Sequence, residues 1–197
     1  MIPEILKKYS TGNFYYPIKS KAVGILIKKD SLLEVIQKLK EDKDLLFDQL
    51  VDITAIDNLQ SESISTNERF TIVYTFLSLV KNKRIFIFTN VSEDNPVVDS
   101  ITKIFESANW YERECYDLFG VTFKNHPNLQ RIMNDYNFNG HPLRKDFPLT
   151  GYEEVRYDDN LKKVVYEPVD LKQEFRDFDN ESPWEGMKDI ISEELKK

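Results

Sequence analysis

Two periods of apolar and polar residues run through the first 120 residues of the chain. The run "AVGILIK" (22–28) is short, apolar and bounded by charge, which predicts a buried strand. Leu32, Ile36 and Leu39 then recur at helical spacing, so residues 31–42 are predicted as an amphipathic helix. Its start, "SLLE" (31–34), matches a capping box in which Ser31 and Glu34 satisfy each other's exposed backbone donors. Val51, Ile53 and Ala55 alternate with Asp52 and Thr54, the pattern of a half-buried strand. The polar stretch "DNLQSESISTNE" (57–68) reads as a loop. "RFTIVYTFLSLV" and "RIFIFTNV" follow as two strands, close enough across "KNK" (81–83) to form an antiparallel hairpin.

Pro96 is expected to open a further helix, and "NWYERECYDLF" (109–119) reads as another. On the latter, Tyr111, Cys115, Leu118 and Phe119 share one face, while Arg113 and Asp117 stand four apart on another, at pairing distance. Gly120 ends it as a helix C-terminus. The order β-α-β-β-β-α predicts a small α+β domain over residues 1–120, with helices against a mixed or antiparallel sheet. Beyond it the pattern changes. Four of the six glycines and five of the eight prolines lie in 120–197, and helical periodicity returns only in "MKDIISEELKK" (187–197). Residues 121–197 therefore read as a long, mostly irregular C-terminal arm with one short hairpin, "EEVRY" and "KVVYEPV" joined through "DDNLK". The arm keeps Phe123, Leu129, Ile132, Tyr136, Phe138, Leu143, Phe147, Leu149, Phe175, Phe178 and Trp184, too much apolar area for a solvated linker. Burial against partner proteins is the expectation that follows.

Composition narrows the function classes. With 41% hydrophobic and 31% charged residues, the chain has the make-up of a globular protein large enough to build a core. Its apolar runs fall short of the roughly 20 residues that span a bilayer, so membrane association is expected only through partners. The N-terminus shows neither a secretory signal nor an arginine-rich transit composition. A single cysteine, Cys115, excludes an internal disulfide, and a reducing compartment suffices. The net charge of -7 concentrates in the tail, where residues 150–197 hold 8 Lys or Arg against 14 Asp or Glu. That balance argues against nucleic acid as the main ligand, and an acidic tail means solvation or docking on a basic protein surface.

The motifs of nucleotide chemistry, a G-x-G-x-x-G after a strand or a phosphate loop, do not occur. His126 and His141 form a metal site only in combination with residues such as Glu114 or Asp146, and each precedes a proline, Pro127 or Pro142, which suits a turn. Cys115 lies on an apolar helix face, the place of an inert packed thiol rather than a nucleophile paired with a histidine. Glu112, Arg113, Glu114 and Asp117 read as a solvated helix face, with a general acid/base site and a sequestered, partner-bridging Arg113 as competing readings. Arg131, Arg144 and Lys145 are suited to an anion, or to intersubunit ion pairs given Asp135 and Asp146 nearby.

The segments "ERECYDLFGVTFKNHPNLQRI" (112–132) and "GHPLRKDFPLTGYEEVRYDD" (140–159) resemble the 30-kDa subunit family of respiratory complex I, NADH:ubiquinone oxidoreductase. The shared signature runs through Glu112, Arg113, Glu114, Asp117, Gly120, His126, Pro127 and Arg131, then Gly140, His141, Pro142, Leu143, Arg144, Lys145, Asp146, Phe147 and Pro148. It continues in "QEFR" (173–176) and "SPWE" (182–185).

The resemblance implies a chain with no catalytic, cofactor-binding or metal-ligating residue of its own. Its place would be the peripheral arm near the quinone-reducing module. FMN and iron-sulfur clusters would sit in partner subunits, chiefly the 49-kDa subunit and neighbouring iron-sulfur subunits. A related NDH-type or membrane-bound hydrogenase complex is the alternative assembly. A bias toward Lys, Asn, Ile and Phe fits an AT-rich organellar genome, which implies the matrix side of the mitochondrial inner membrane; the cytoplasmic face of a bacterial plasma membrane is the alternative. On this reading "GHPLRKDFPL" is an interface strap whose prolines limit its unbound freedom, with Leu143, Phe147 and Leu149 as anchors and Arg144, Lys145 and Asp146 setting register.

Overall fold

The computed structural model describes residues 4–12, 23–59, 68–171 and 173. The tail helix expected at 187–197 and the aromatic anchors Phe175, Phe178 and Trp184 lie outside them. The chain forms two compact units, Met1–Gly151 and Tyr152–Lys197.

The first unit is built on a mixed five-stranded sheet. In chain order its elements are α1 (Glu4–Lys7), β1 (Ser10–Gly12), β2 (Val23–Ile27), α2 (Leu32–Glu41), β3 (Gln49–Asp57), β4 (Phe70–Ser78), β5 (Lys83–Val91), β6 (Val97–Asp99), α3 (Ala108–Phe119) and β7 (Thr122–Lys124). The sheet order is β1-β2-β5-β4-β3. Helix α2 carries the chain from β2 to the far edge at β3, and the antiparallel hairpin β4–β5 fills the space between. That places β2 parallel to β5 and makes the sheet mixed. The α+β architecture and the hairpin across residues 81–83 are as the sequence predicts.

Alternation along the strands sorts the core. Ile25 and Ile27, Ile85 and Ile87, Phe70, Ile72, Tyr74 and Phe76, and Ile53 and Ala55 join one buried cluster with Leu32, Val35, Ile36 and Leu39 of α2 and Ala108, Cys115 and Phe119 of α3. These side chains occupy one face of the sheet because successive strand residues point to opposite sides.

Two local expectations do not hold. Ser31 closes a short 3-10 turn (Lys29–Ser31) and its side chain makes no cap hydrogen bond; Glu34 instead accepts from Lys38 Nζ at 2.6 Å, one turn on, and from the Tyr9 hydroxyl at 2.5 Å. A helix-spaced lysine competes better for that carboxylate than a backbone amide already in a 3-10 turn. The helix expected from Pro96 is instead β6, paired in parallel with β7. β-Branched Val97 and Val98 favour the extended form, and the Thr122 N–H donates to the Pro96 carbonyl at 2.8 Å.

The second unit contains one antiparallel hairpin, β8 (Glu153–Asp158) and β9 (Lys163–Pro168). Val155 opposes Tyr166 and Tyr157 opposes Val164, so all four lie on one face, and each is more than half exposed. The other face carries charge: Arg156 bonds Glu167 at 2.5 Å and lies 3.6 Å from Asp158.

Candidate functional site

Asp117, Gly120, Arg131, Gly140, His141, Leu143 and Arg144 of the resemblance meet at the C-terminal end of α3. A helix leaves its last carbonyls without intrahelical partners, and here other parts of the chain supply donors. Gly120, in the left-handed region at φ 77°, donates its N–H to the Tyr116 carbonyl at 2.9 Å. The Asp117 carbonyl accepts from His141 Nδ1 at 2.9 Å, the Leu118 carbonyl from the Leu143 N–H at 3.0 Å, and the Phe119 carbonyl from Arg144 Nε at 2.6 Å. "GHPLR" is thus an intramolecular cap. Pro142, which has no N–H, sits between two residues that supply the donors. The Arg144 and Arg131 guanidiniums also bring positive charge to the negative end of the helix dipole.

This closeness explains two glycines. A Cβ on Gly120 would lie 2.7 Å from the His141 ring and closer still to the Arg144 guanidinium. A Cβ on Gly140, at φ 118°, would meet the Phe147 ring at 2.6 Å.

Asp117 is the second fixture, and it is fully buried. Its Oδ2 accepts the N–H groups of Ile132, Met133 and Asn134 at 2.9, 2.7 and 2.8 Å, and Oδ1 accepts from Arg131 Nη1 at 2.7 Å and Asn134 Nδ2 at 2.8 Å. Burial alone would raise this carboxyl; the Asn134 backbone and side chain, Arg131 and the Ile132 amide outweigh it and hold it well below the carboxylate range. The expected Arg113–Asp117 pair is therefore not what forms. Arg113 donates to the Gln130 and Arg131 carbonyls at 3.0 and 3.1 Å, and its guanidinium lies over the Trp110 ring.

A third fixture centres on Arg69, which the sequence reading missed along with Asp57 and Glu93. Arg69 grips Asp57 with two bonds of 3.0 and 2.9 Å, and reaches Glu93 and Asp146 at 2.5 Å each. Asp57 Oδ2 also accepts the Lys145 N–H at 2.9 Å. Burial opposes ionisation of Asp57, but Arg69 and the Lys145 and Leu59 amides bring it down to about 2. Asp57 and Arg69 flank the loop read from sequence as polar filler, and the only trace of their role is that the loop begins with an acid and ends beside a base. The Arg69 and Arg144 guanidiniums both lie about 5 Å from the Phe70 ring, at 5.0 and 5.1 Å.

The helix face expected to be solvated is not. Glu112 is fully buried, with Ala108, Cys115 and Phe119 on the same stripe. That i, i+4, i+7, i+11 ladder was readable, and it sets an acid in the middle of an apolar face. Cys115 is a packed thiol whose Sγ lies 3.4 Å from the Ile53 carbonyl. His126 Nδ1 accepts the Asn128 N–H at 3.1 Å, so Nε2 carries the hydrogen and donates to the Asn109 carbonyl at 3.2 Å. Both histidines are bound to backbone, and burial lowers both below their ordinary value. Among the described residues no group of three or more His, Cys, Asp or Glu could hold a metal ion.

Of the expected anchors, Phe147 is half-buried beside Phe138, with ring centroids 5.9 Å apart, whereas Leu143 and Leu149 are 52% and 87% exposed. Arg144 and Asp146 are engaged within the chain. Leu143, Lys145, Asp146 and Leu149 are the exposed residues of this segment, whereas the Arg144 guanidinium is turned onto α3 and Phe70.

Residues 25–153 match the family described as respiratory-chain NADH dehydrogenase, 30 Kd subunit. An NADH-quinone oxidoreductase subunit from Rhodospirillum rubrum is 51% identical over 163 residues, 83% of this chain and 74% of that protein. Its counterpart of the same name from Parvibaculum lavamentivorans is 50% identical over 169 residues, 86% and 82% of the two chains. Among solved structures, a trypsin-resistant fragment (1-134) of Nqo5 superposes with a TM-score of 0.53 at 30% identity, covering 59% of this chain and 89% of that one. A chain of the membrane-bound sulfane sulfur reductase, an archaeal respiratory membrane complex, gives 0.58 at 22% identity over 74% and 82%, a likeness of fold alone.

Proposed function

Since the chain belongs to the respiratory-chain NADH dehydrogenase 30 kDa subunit family, we propose that it works as a non-catalytic core subunit of the peripheral arm of an NADH-quinone oxidoreductase, complex I. The electron transfer from NADH to quinone and the coupled proton translocation are properties of the assembly. Flavin and iron-sulfur clusters reside in other subunits. This chain contributes a rigid α+β body and an arm that docks, chiefly on the 49-kDa subunit and the neighbouring iron-sulfur subunits.

The observation that carries the docking role is the hairpin β8–β9. A two-stranded ribbon with one face of Val155, Tyr157, Val164 and Tyr166 turned outward is marginal in water and gains stability when that face is covered. Leu143 and Leu149 add exposed aliphatic area in the first unit. Among the described residues no helix is long and apolar enough to cross a membrane, which is consistent with attachment through partners. The membrane surface is the matrix face of a mitochondrial inner membrane or the cytoplasmic face of a bacterial plasma membrane. The Lys-, Asn-, Ile- and Phe-rich composition supports the first, and the bacterial relatives support the second.

A native pull-down of the tagged chain from gently solubilised membranes tests the proposal. Flavin and iron-sulfur subunits with NADH:quinone activity are expected in the eluate, and the double variant Tyr157→Ser, Tyr166→Ser is expected to recover fewer of them. A partnerless chain, or a variant that assembles like the wild type, contradicts the docking role.

A further inference from the structure

Asp57, Arg69, Glu112 and Asp117 are buried among the described residues. Three of them are matched by opposite charge, and Glu112 is not. Its Oε1 accepts the Ile101 N–H at 2.7 Å, while Oε2 is buried with no hydrogen-bond partner. The nearest cationisable atom, His126 Nε2, is 3.9 Å from Oε2, and both side chains are wholly inaccessible. That histidine is already committed: Nδ1 accepts from Asn128 and Nε2 donates to Asn109.

We propose that Glu112 and His126 form a proton-linked switch in the core of the first unit: with the Glu112 carboxyl neutral, His126 Nε2–H bonds the Asn109 carbonyl, and on ionisation that hydrogen turns to Glu112 Oε2. The proton leaves Oε2 for solvent. The imidazole stays neutral, because a second ring proton would displace the Asn128 N–H from Nδ1. A carboxylate outcompetes a neutral carbonyl, since charge-assisted bonds are about twice as strong and shorter. The ring has to move by roughly an ångström to bring 3.9 Å to hydrogen-bond length. Asn125, held in the left-handed region at φ 65°, and Pro127 flank His126 and are carried with it. These two residues, with Thr102, Lys103, Glu106 and Asn109, line a surface cleft of about 420 Å³, so the shape of the cleft follows the state of the carboxyl.

The surroundings support a switch within the physiological range. Burial pushes Glu112 up to about 7 against the Ser100 and Ile101 hydrogen bonds. The ionisable groups nearby are Tyr74 on β4, whose buried hydroxyl has no partner, Asp99 on β6, Cys115 one turn on, and Arg113 beside His126. Burial holds the Tyr74 hydroxyl and the Cys115 thiol in their protonated forms, with Asp52 and Glu114 adding to the effect at Cys115. None of these contributes a cation that touches Oε2.

The test is a titration of the full-length chain labelled at glutamate and histidine, followed by carboxyl carbon and imidazole nitrogen resonances. The expected result is a Glu112 midpoint moved from 4.5 to about 7, with His126 Nε2 and the Asn128 amide shifting in the same transition. Glu112→Gln is expected to abolish that transition at His126. A Glu112 that titrates with ordinary carboxylates, or a His126 resonance unmoved while Glu112 ionises, overturns the switch. Should Glu112→Gln fail to fold, the wild-type titration alone decides.

Discussion

Asp117 ties α3 to the loop at 131–134, because one buried carboxylate accepts five hydrogen bonds from that loop. Removing it in Asp117→Ala takes the acceptor from three part-buried amides and leaves the Arg131 guanidinium without its counter-charge. The expected cost is about 3–5 kcal/mol, as for other broken buried pairs, read by chemical denaturation of the chain. Asp57 and Asp117 both have folded values depressed below the ordinary carboxylate range. The stability they contribute is therefore complete above about pH 4 and is lost as pH falls through their folded values. Asp57→Asn is expected to flatten the acid-unfolding curve between the ordinary 3.8 and about 2, by about 2 kcal/mol. Glu112 runs in the opposite sense. Its folded value is raised, so its contribution is complete below 4.5 and is lost as pH rises through about 7. Glu112→Gln is expected to recover up to about 3 kcal/mol at pH 8 and to be neutral at pH 4, checked by thermal melts at the two pH values.

At the scale of elements, the cap on α3 behaves as a single device. Gly120→Ala adds a side chain at φ 77° and drives it into His141 and Arg144. The backbone penalty is about 1–2 kcal/mol, before the displaced ring is counted. The expected signature is loss of hydrogen-exchange protection at the Leu143 amide, which donates to the Leu118 carbonyl, while the β4–β5 amides stay protected. Strands and helices were legible in the sequence where hydrophobic period decides them: α2, α3 and the strands β2 to β5 fall where alternation and helical spacing put them. The site was legible only as a list of residues. Their partners were not, since Asp117 meets Arg131 across 14 positions and Arg69 meets Asp146 across 77, distances over which a pattern carries no signal. Pro96 misled because a proline fits the start of a strand as well as that of a helix.

For the whole molecule, the change of sequence character at Gly120 and the limit of the first compact unit at Gly151 are different boundaries. Residues 125–151, after β7, are irregular yet bonded to the sheet end and to α3. A chain ending at Gly151 is expected to keep cooperative unfolding, whereas one ending at Gly140 loses the donors for three helix carbonyls and the Asp146 contact to Arg69. Circular dichroism melts of the two truncations distinguish these outcomes. Neither is expected to assemble with partners, because both lack the apolar hairpin.

The cap on α3 also sets a schedule. The carbonyls at 117–119 are satisfied by residues 141–144, and Asp57 receives its amide from Lys145, 88 positions later. During synthesis the sheet and helices α2 and α3 leave the ribosome before anything can seal them, and the last dozen residues of the first unit act as its fastener. A ribosome that stalls before residue 145 releases a body with an open end, a substrate for chaperones and proteases. On the proposed docking role the same order protects the assembly line, since residues 152–197 are made only after the fastener.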